Sequence, residues 1–299
     1  MNTLLIHEPR SHVELQHEGR ILFRYVHEPE TPVVESPKPY FHPLRTLAGN
    51  DLTSVRPHDH PWHVGLAMTA TILSGQNFWG GPTYVRDAGY VERDDHGRIQ
   101  HRDWRELQSD DDTTRLIEHL EWIARDGEPW LDEERHIIVD QIDPEGAYWS
   151  LALRFHLRNV VGRSLEFSSP TAEGRPLAGY GGLFWRGPRS FQGGTIQAAA
   201  GLEGPDVMGQ TAPWLAFTGR HDGNGEHSTL LFIDQPSNPR YPNQWFVRND
   251  PYAGVSCSFM FDQPYILPAD EALVLDYRIV LGNGAWSRAT IEDYLARDR

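Results

Sequence analysis

Glycine and proline, 27 and 22 of them in 299 residues, cut this chain into runs too short for a helical fold. Between the breaks, six runs alternate apolar and polar residues or are rich in β-branched and aromatic side chains. They are residues 21–26, 66–73, 135–139, 149–157, 229–233 and 273–280. In the run WSLALRFHL (149–157), Leu151, Leu153, Phe155 and Leu157 share one face, and Ser150, Ala152, Arg154 and His156 take the other. That pattern is a strand with one side on a core. Helix signals concentrate at the end, where Ser287 or Thr290 can cap a short helix carrying Ile291, Tyr294 and Leu295 on one side. Many short strands and one helix predict an all-β fold, a large antiparallel β-sandwich. Without an internal repeat or a Gly/Ser linker, residues 1–299 read as one domain. The proline-rich stretch 28–43 reads as a surface loop, because Tyr40 and Phe41 follow at once and require burial.

Charge limits the partners. The net charge is −15, and arginines are interleaved with acidic residues, so no basic stripe could displace counterions from nucleic acid. No run approaches the roughly 20 apolar residues of a membrane span. Residues 1–12 lack a signal-like apolar region, and Cys257 stands alone in an alternating run that predicts burial. Cytoplasmic residence is the expectation, with an edge-paired homodimer as an open alternative.

Four segments concentrate polar and aromatic chemistry. The first is RPHDHPWHVG (56–65), with His58, Asp59, His60 and His63 between two prolines. Imidazole serves as acid, base or metal ligand near neutral pH, and Asp59 beside His60 can orient a ring. The H-x-H-x-x-H spacing matches no well-marked zinc pattern, so metal binding by His58, His60 or His63 competes with acid–base chemistry and with simple loop hydrogen bonding. The second, GYGGLFWR (179–186), combines glycines with Tyr180, Trp185 and Arg186, and also reads as a strand start with a bulge. The third, PSNPRYPNQWFVR (236–248), offers Asn238, Arg240, Trp245 and Arg248 or, alternatively, a well-packed corner. The fourth, NFWGG (77–81), reads as a strand ending in a turn, with Trp79 at its rim. Glu173, Asp206 and Asp262 are candidates for paired carboxylates. A serine hydrolase is disfavoured by the absence of G-x-S-x-G, and no dinucleotide or Walker motif is present.

These segments, together with YFHPLRT (40–46), resemble in order and content the bacterial PmoA-like family, over about residues 20–281. The resemblance implies a β-sandwich of the galactose-mutarotase type and a setting in sugar catabolism. It places Asp59, His60 and His63 at a catalytic centre, and Arg45, Arg56, Tyr180, Trp185, Arg186, Asn238, Arg240 and Trp245 in a substrate-binding wall. Where the family often carries a further basic residue, this chain has Val64, which disfavours a metal there. The expected function is a carbohydrate-active enzyme, whether epimerase or mutarotase, lyase or hydrolase, using histidine acid–base chemistry on a sugar or modified glycoside, with a small-molecule carbohydrate as partner. The alternatives are a non-catalytic sugar-binding or accessory protein and a metal-dependent enzyme with a divalent ion at the histidines. No other cofactor is expected.

Overall fold

A computed structural model describes residues 3–110 and 113–297. Two eight-stranded sheets, antiparallel throughout, pack face to face. The first runs, edge to edge, through Thr3–Glu8, His12–His17, Arg20–Val26, Tyr40–Leu44, Leu66–Thr69, Gly182–Arg186, Gly254–Ser258 and Gln244–Arg248. The second runs through Thr195–Ala198, Trp214–Arg220, His227–Asp234, Ala272–Asn283, Tyr148–Asn159, Pro129–Asp143, Thr114–Ile123 and Arg98–Ser109. The all-β antiparallel sandwich expected from the alternating runs is therefore present. Several of its strands are longer than the sequence pattern marked, because pairing to a neighbour extends a strand past its apolar stretch. The run 66–73 is instead split into Leu66–Thr69 and Ile72–Leu73, the second of which joins a separate three-stranded sheet.

The core lies between the two sheets. Leu151, Leu153, Phe155 and Leu157 are buried on the inner face, as their spacing requires, against residues such as Phe23, Leu66 and Trp185 of the same cluster. Cys257 is buried there too, and burial pushes its thiol well above the ordinary range, so it behaves as a small apolar residue. A charged network crosses this interior: Arg135 pairs with Glu133 at 2.6 Å and donates to the Tyr25 hydroxyl at 2.8 Å, which donates to Glu118.

The C-terminal helix Arg288–Arg297 lays Ile291 and Tyr294 on the outer side of the second sheet, against Trp214, Leu231 and Val280. Of its two candidate caps, Ser287 acts: its Oγ accepts the Thr290 backbone N–H at 3.1 Å. The stretch 28–43 does hold irregular structure, a 3-10 turn Val33–Glu35, before the strand Tyr40–Leu44, but it is more buried than a surface loop, with Glu35, Ser36 and Lys38 inside. No helix among the described residues is long and apolar enough to cross a membrane.

Candidate functional site

The outer face of the first sheet carries the site, and strand parity decides which side chains reach it. In Gly182–Arg186, Leu183 and Trp185 point into the core while Phe184 and Arg186 point outward. Pairing continues this across the sheet, because Phe184 and Phe246 both lie opposite Ser256, and Arg186 and Arg248 both lie opposite Gly254. Phe184 and Phe246 are buried yet stand outside the main core cluster. Loops cover them and leave a cavity of about 250 Å³, lined by His60, Trp62, His63, Trp79, Gly80 and Pro82 and by Tyr90, Arg175, Tyr180, Phe246, Arg248 and Tyr252.

The histidine loop is built by consecutive turns. The His60 N–H donates to the Pro57 carbonyl at 3.0 Å, and the His63 N–H to the His60 carbonyl at 3.0 Å. Residues 60 and 63 thus sit one turn apart, and their rings stack with centroids 4.6 Å apart at 18°. The loop is pinned to the sheet where the Arg186 N–H donates to the Gly65 carbonyl at 2.7 Å. Beside it, Asn77 accepts the N–H groups of Trp79 and Gly80 on its Oδ1 and so fixes the turn that presents Trp79. Gly80 and Gly81, at φ +106° and +66°, let Trp62 press against this turn, since a Cβ at Gly81 would fall 2.6 Å from the Trp62 ring.

Each imidazole has one nitrogen committed. His60 Nδ1–H donates to Asp59 Oδ2 at 2.8 Å, leaving Nε2 as an acceptor when the ring is neutral. His63 Nδ1 accepts from Arg186 Nη1 at 2.9 Å; guanidinium has only donors, so the His63 proton sits on Nε2. Burial, reinforced by the neighbouring His60 ring, Arg186 and Lys38, holds His63 well below the ordinary imidazole range, so it is neutral. Asp59 is drawn down to about 2: burial opposes its charge, but the His60 hydrogen bond and Arg186, 3.4 Å away, outweigh it. Arg186 in turn lies over the Tyr252 ring at 4.0 Å.

The rest of the lining is aromatic and cationic. Trp79 packs on Tyr180 at 4.8 Å and on Phe184 at 4.6 Å, and Tyr180 on Phe246 at 5.4 Å. The Tyr180 hydroxyl meets that of Tyr90 at 2.6 Å, and burial pushes the Tyr180 phenol well above its ordinary range. Arg175 donates to the Tyr90 hydroxyl, and Arg248 lies over Phe246 at 5.2 Å. Among the described residues neither Arg175 nor Arg248 is paired with a carboxylate. An acceptor imidazole, a donor imidazole and two guanidinium groups without a carboxylate partner therefore surround one cavity floored with rings.

The model of a family of unknown function, DUF6807, matches residues 12–296. The chain belongs to this family. No protein of curated function matches significantly. Solved structures similar to the chain include the α-galactosidase AgaA of Geobacillus stearothermophilus in complex with raffinose, at 9% identity and a TM-score of 0.38, covering 95% of this chain and 41% of that one. The galactosidase domain of the α-galactosidase–sucrose kinase AgaSK matches at 9% identity and 0.43, covering 94% and 42%. The α-galactosidase of Lactobacillus brevis matches at 8% and 0.39, covering 95% and 40%. The chain spans about two fifths of the length of these proteins.

Of the residues singled out from the sequence, Asp59, His60, His63, Trp79, Tyr180, Arg186 and Arg248 come together. The others do not reach the cavity, each for a visible reason. Trp185 and Trp245 are fully buried in the core, where their indole N–H groups donate to the carbonyls of Leu52 and Ala212. Arg45 pairs with Asp51 at 2.7 Å. Arg56 clamps the buried Glu35 carboxylate through two hydrogen bonds of 2.9 and 2.7 Å, which fixes the start of the histidine loop. Asn238 donates to Asp234 and to the Asp276 carbonyl, and Arg240 to the carbonyls of Phe259, Gln263 and Pro264. That segment is the packed corner its prolines also allowed. Glu173 bonds Ser168, and neither Asp206 nor Asp262 lines the cavity. Among the described residues, His58, His60 and His63 do not bring three ligand atoms within 4.8 Å of one another. Sequence reasoning missed Tyr90, Arg175, Phe246 and Tyr252. Parity held the signal for Phe246, since a strand that sends Arg248 outward must do the same with residue 246. Arg175 and Tyr252 arrive on loops and Tyr90 on the short strand Gly89–Val91, and no local pattern ties these segments to the sheet.

Proposed function

We infer that the cavity binds an acidic monosaccharide, or the acidic end unit of a glycoside, and moves a proton on it. The observation that carries this reading is the Asp59–His60 pair, whose free Nε2 shares one small aromatic cavity with two unpaired arginines. His60 Nε2 takes the proton, Asp59 fixes its tautomer and steadies the imidazolium that forms, and the neutral His63 donates its Nε2–H to oxygen where charge develops. Trp62, Trp79, Tyr180 and Phe246 offer faces to the C–H side of a sugar ring. Arg175 and Arg248 suit its carboxylate. The volume, about 250 Å³, falls just under the range of about 300–1,000 Å³ usual for larger ligands and fits a single sugar unit. Epimerase or mutarotase, lyase and hydrolase chemistry all share this proton transfer. The resemblance of its motifs to those of PmoA-like proteins agrees with a carbohydrate substrate.

Replacing Arg248 by Ala tests the substrate class. Charge-assisted hydrogen bonds contribute about 1.5–3 kcal/mol, so kcat/KM for an acidic sugar is expected to fall about ten- to hundredfold while that for its neutral counterpart barely changes. Equal losses on both substrates would remove the carboxylate from the proposal.

A further inference from the structure

A second cluster lies away from this cavity, at the edge of the sandwich where the two sheets meet. The geometry points to a binding site for a borderline divalent cation, zinc foremost, formed by His27, Glu28 and His101. Each residue offers one ligand atom, and all three atoms lie within 4.8 Å of one another, with His27 Nδ1 and Glu28 Oε1 3.8 Å apart. Ligand bonds of about 2.0–2.1 Å place atoms around one ion no more than about 4 Å apart, so a small side-chain adjustment closes the set.

The independent observation is His27. It is 1% exposed, and both of its ring nitrogens are buried without a hydrogen-bond partner. Buried polar atoms are nearly always satisfied, and an ion bound to one of these nitrogens supplies what the protein does not. His101 is prepared in a different way. Its Nδ1–H donates to Glu118 Oε1 at 2.7 Å, which leaves Nε2 as the ligating nitrogen. Glu118 is itself fully buried and held by the Tyr25 hydroxyl. A carboxylate behind a ligating imidazole fixes its tautomer and raises its basicity, as in many zinc sites. Trp104 packs against both histidine rings, at 5.4 and 5.2 Å, and shields them from solvent on that side.

Two imidazoles with one carboxylate favour zinc over calcium or magnesium, which prefer all-oxygen shells. Three protein ligands leave a fourth position for water or a substrate, and the three residues line a cleft of about 790 Å³ that Arg10 and Arg98 also line. His27 follows the strand Arg20–Val26 of the first sheet, and His101 lies in Arg98–Ser109, the edge strand of the second. An ion at this place ties the two sheets together.

The test uses the full chain without a histidine tag, stripped with chelator and titrated with zinc ion alone by calorimetry, with thermal unfolding in parallel. One equivalent binding and a zinc-dependent rise in Tm are expected. Binding should be lost in His27→Ala and His101→Ala. Glu28→Gln, at an exposed carboxylate that the fold does not need, should weaken affinity at least tenfold with an unchanged Tm in the absence of zinc. His60→Ala should bind zinc as the wild type does. Wild-type affinity in Glu28→Gln and His101→Ala, zinc binding lost with His60 instead, or no binding by the wild type would each overturn the assignment.

Discussion

The hydrogen bond from Arg186 to His63 Nδ1 decides what His63 can do, because a guanidinium cannot accept and the imidazole must therefore carry its proton on Nε2. His60 is oriented the opposite way by Asp59, so the stacked pair presents one acceptor and one donor. Replacing His60 by Ala is expected to lower kcat by about 10²–10⁴-fold, the usual contribution of a positioned base. His63→Gln should retain more activity than His63→Ala, since the glutamine amide can donate from nearly the same place; steady-state rates of the two variants check this. Asp59 gives a pH signature. Its carboxyl is lowered in the folded protein from the ordinary 3.8 to about 2, so its contribution to stability is present above 3.8 and is lost as pH falls towards 2. Across that window the wild type should lose stability relative to Asp59→Asn, as read by denaturant unfolding at a series of pH values. A constant difference between the two would mean that the carboxylate has no special partners in solution. The gathering of Asp59, His60 and His63 was legible in the sequence because three histidines and an aspartate crowd a loop stiffened by Pro57 and Pro61. Their division of labour was not, because Arg186 lies 123 residues beyond His63.

At the scale of the strand, one-residue parity separates structure from function. Trp185 and Trp245 look like sugar platforms in the sequence, yet each faces the core and its neighbours Phe184 and Phe246 face the site. The period of two along each strand already forbade Trp185 and Arg186 from sharing a wall. What the sequence could not say was which face of this sheet would be covered by its partner and which by loops. The consequence is measurable. Trp185→Ala should destabilise the fold by about 3–5 kcal/mol, the usual cost of deleting a large buried aromatic ring. Trp62→Ala, on a loop at the cavity, should leave stability nearly unchanged and weaken ligand binding. Chemical denaturation and ligand titration of both variants distinguish the roles, and the reverse pattern would place the cavity wall elsewhere.

Over the whole molecule, the architecture separates the chemistry from the source of stability. The core between the sheets draws on strands whose alternation announces them, and the sandwich with its terminal helix was accordingly legible, as at Leu151–Leu153–Phe155–Leu157. The site depends on four loops brought onto the outer face of the first sheet from residues 56–65, 77–92, 170–180 and 249–253, and only the first two carried a clear local signal. Long-range assembly hid Arg175 and Tyr252. It also hid the contact of His27 with His101, whose rings lie 4.6 Å apart across 74 residues of sequence. The net charge of −15 makes the two unpaired arginines at the cavity the more telling, since they stand in a chain that has acidic residues in excess. Turnover of matched acidic and neutral monosaccharides, followed by proton NMR with the wild type and His60→Ala side by side, tests the central claim most directly. The account predicts that the wild type converts at least one acidic sugar and that His60→Ala is slower by about 10²–10⁴-fold. Conversion within tenfold of wild type by His60→Ala, a preference for neutral sugars, or no conversion of any member by the wild type would contradict it.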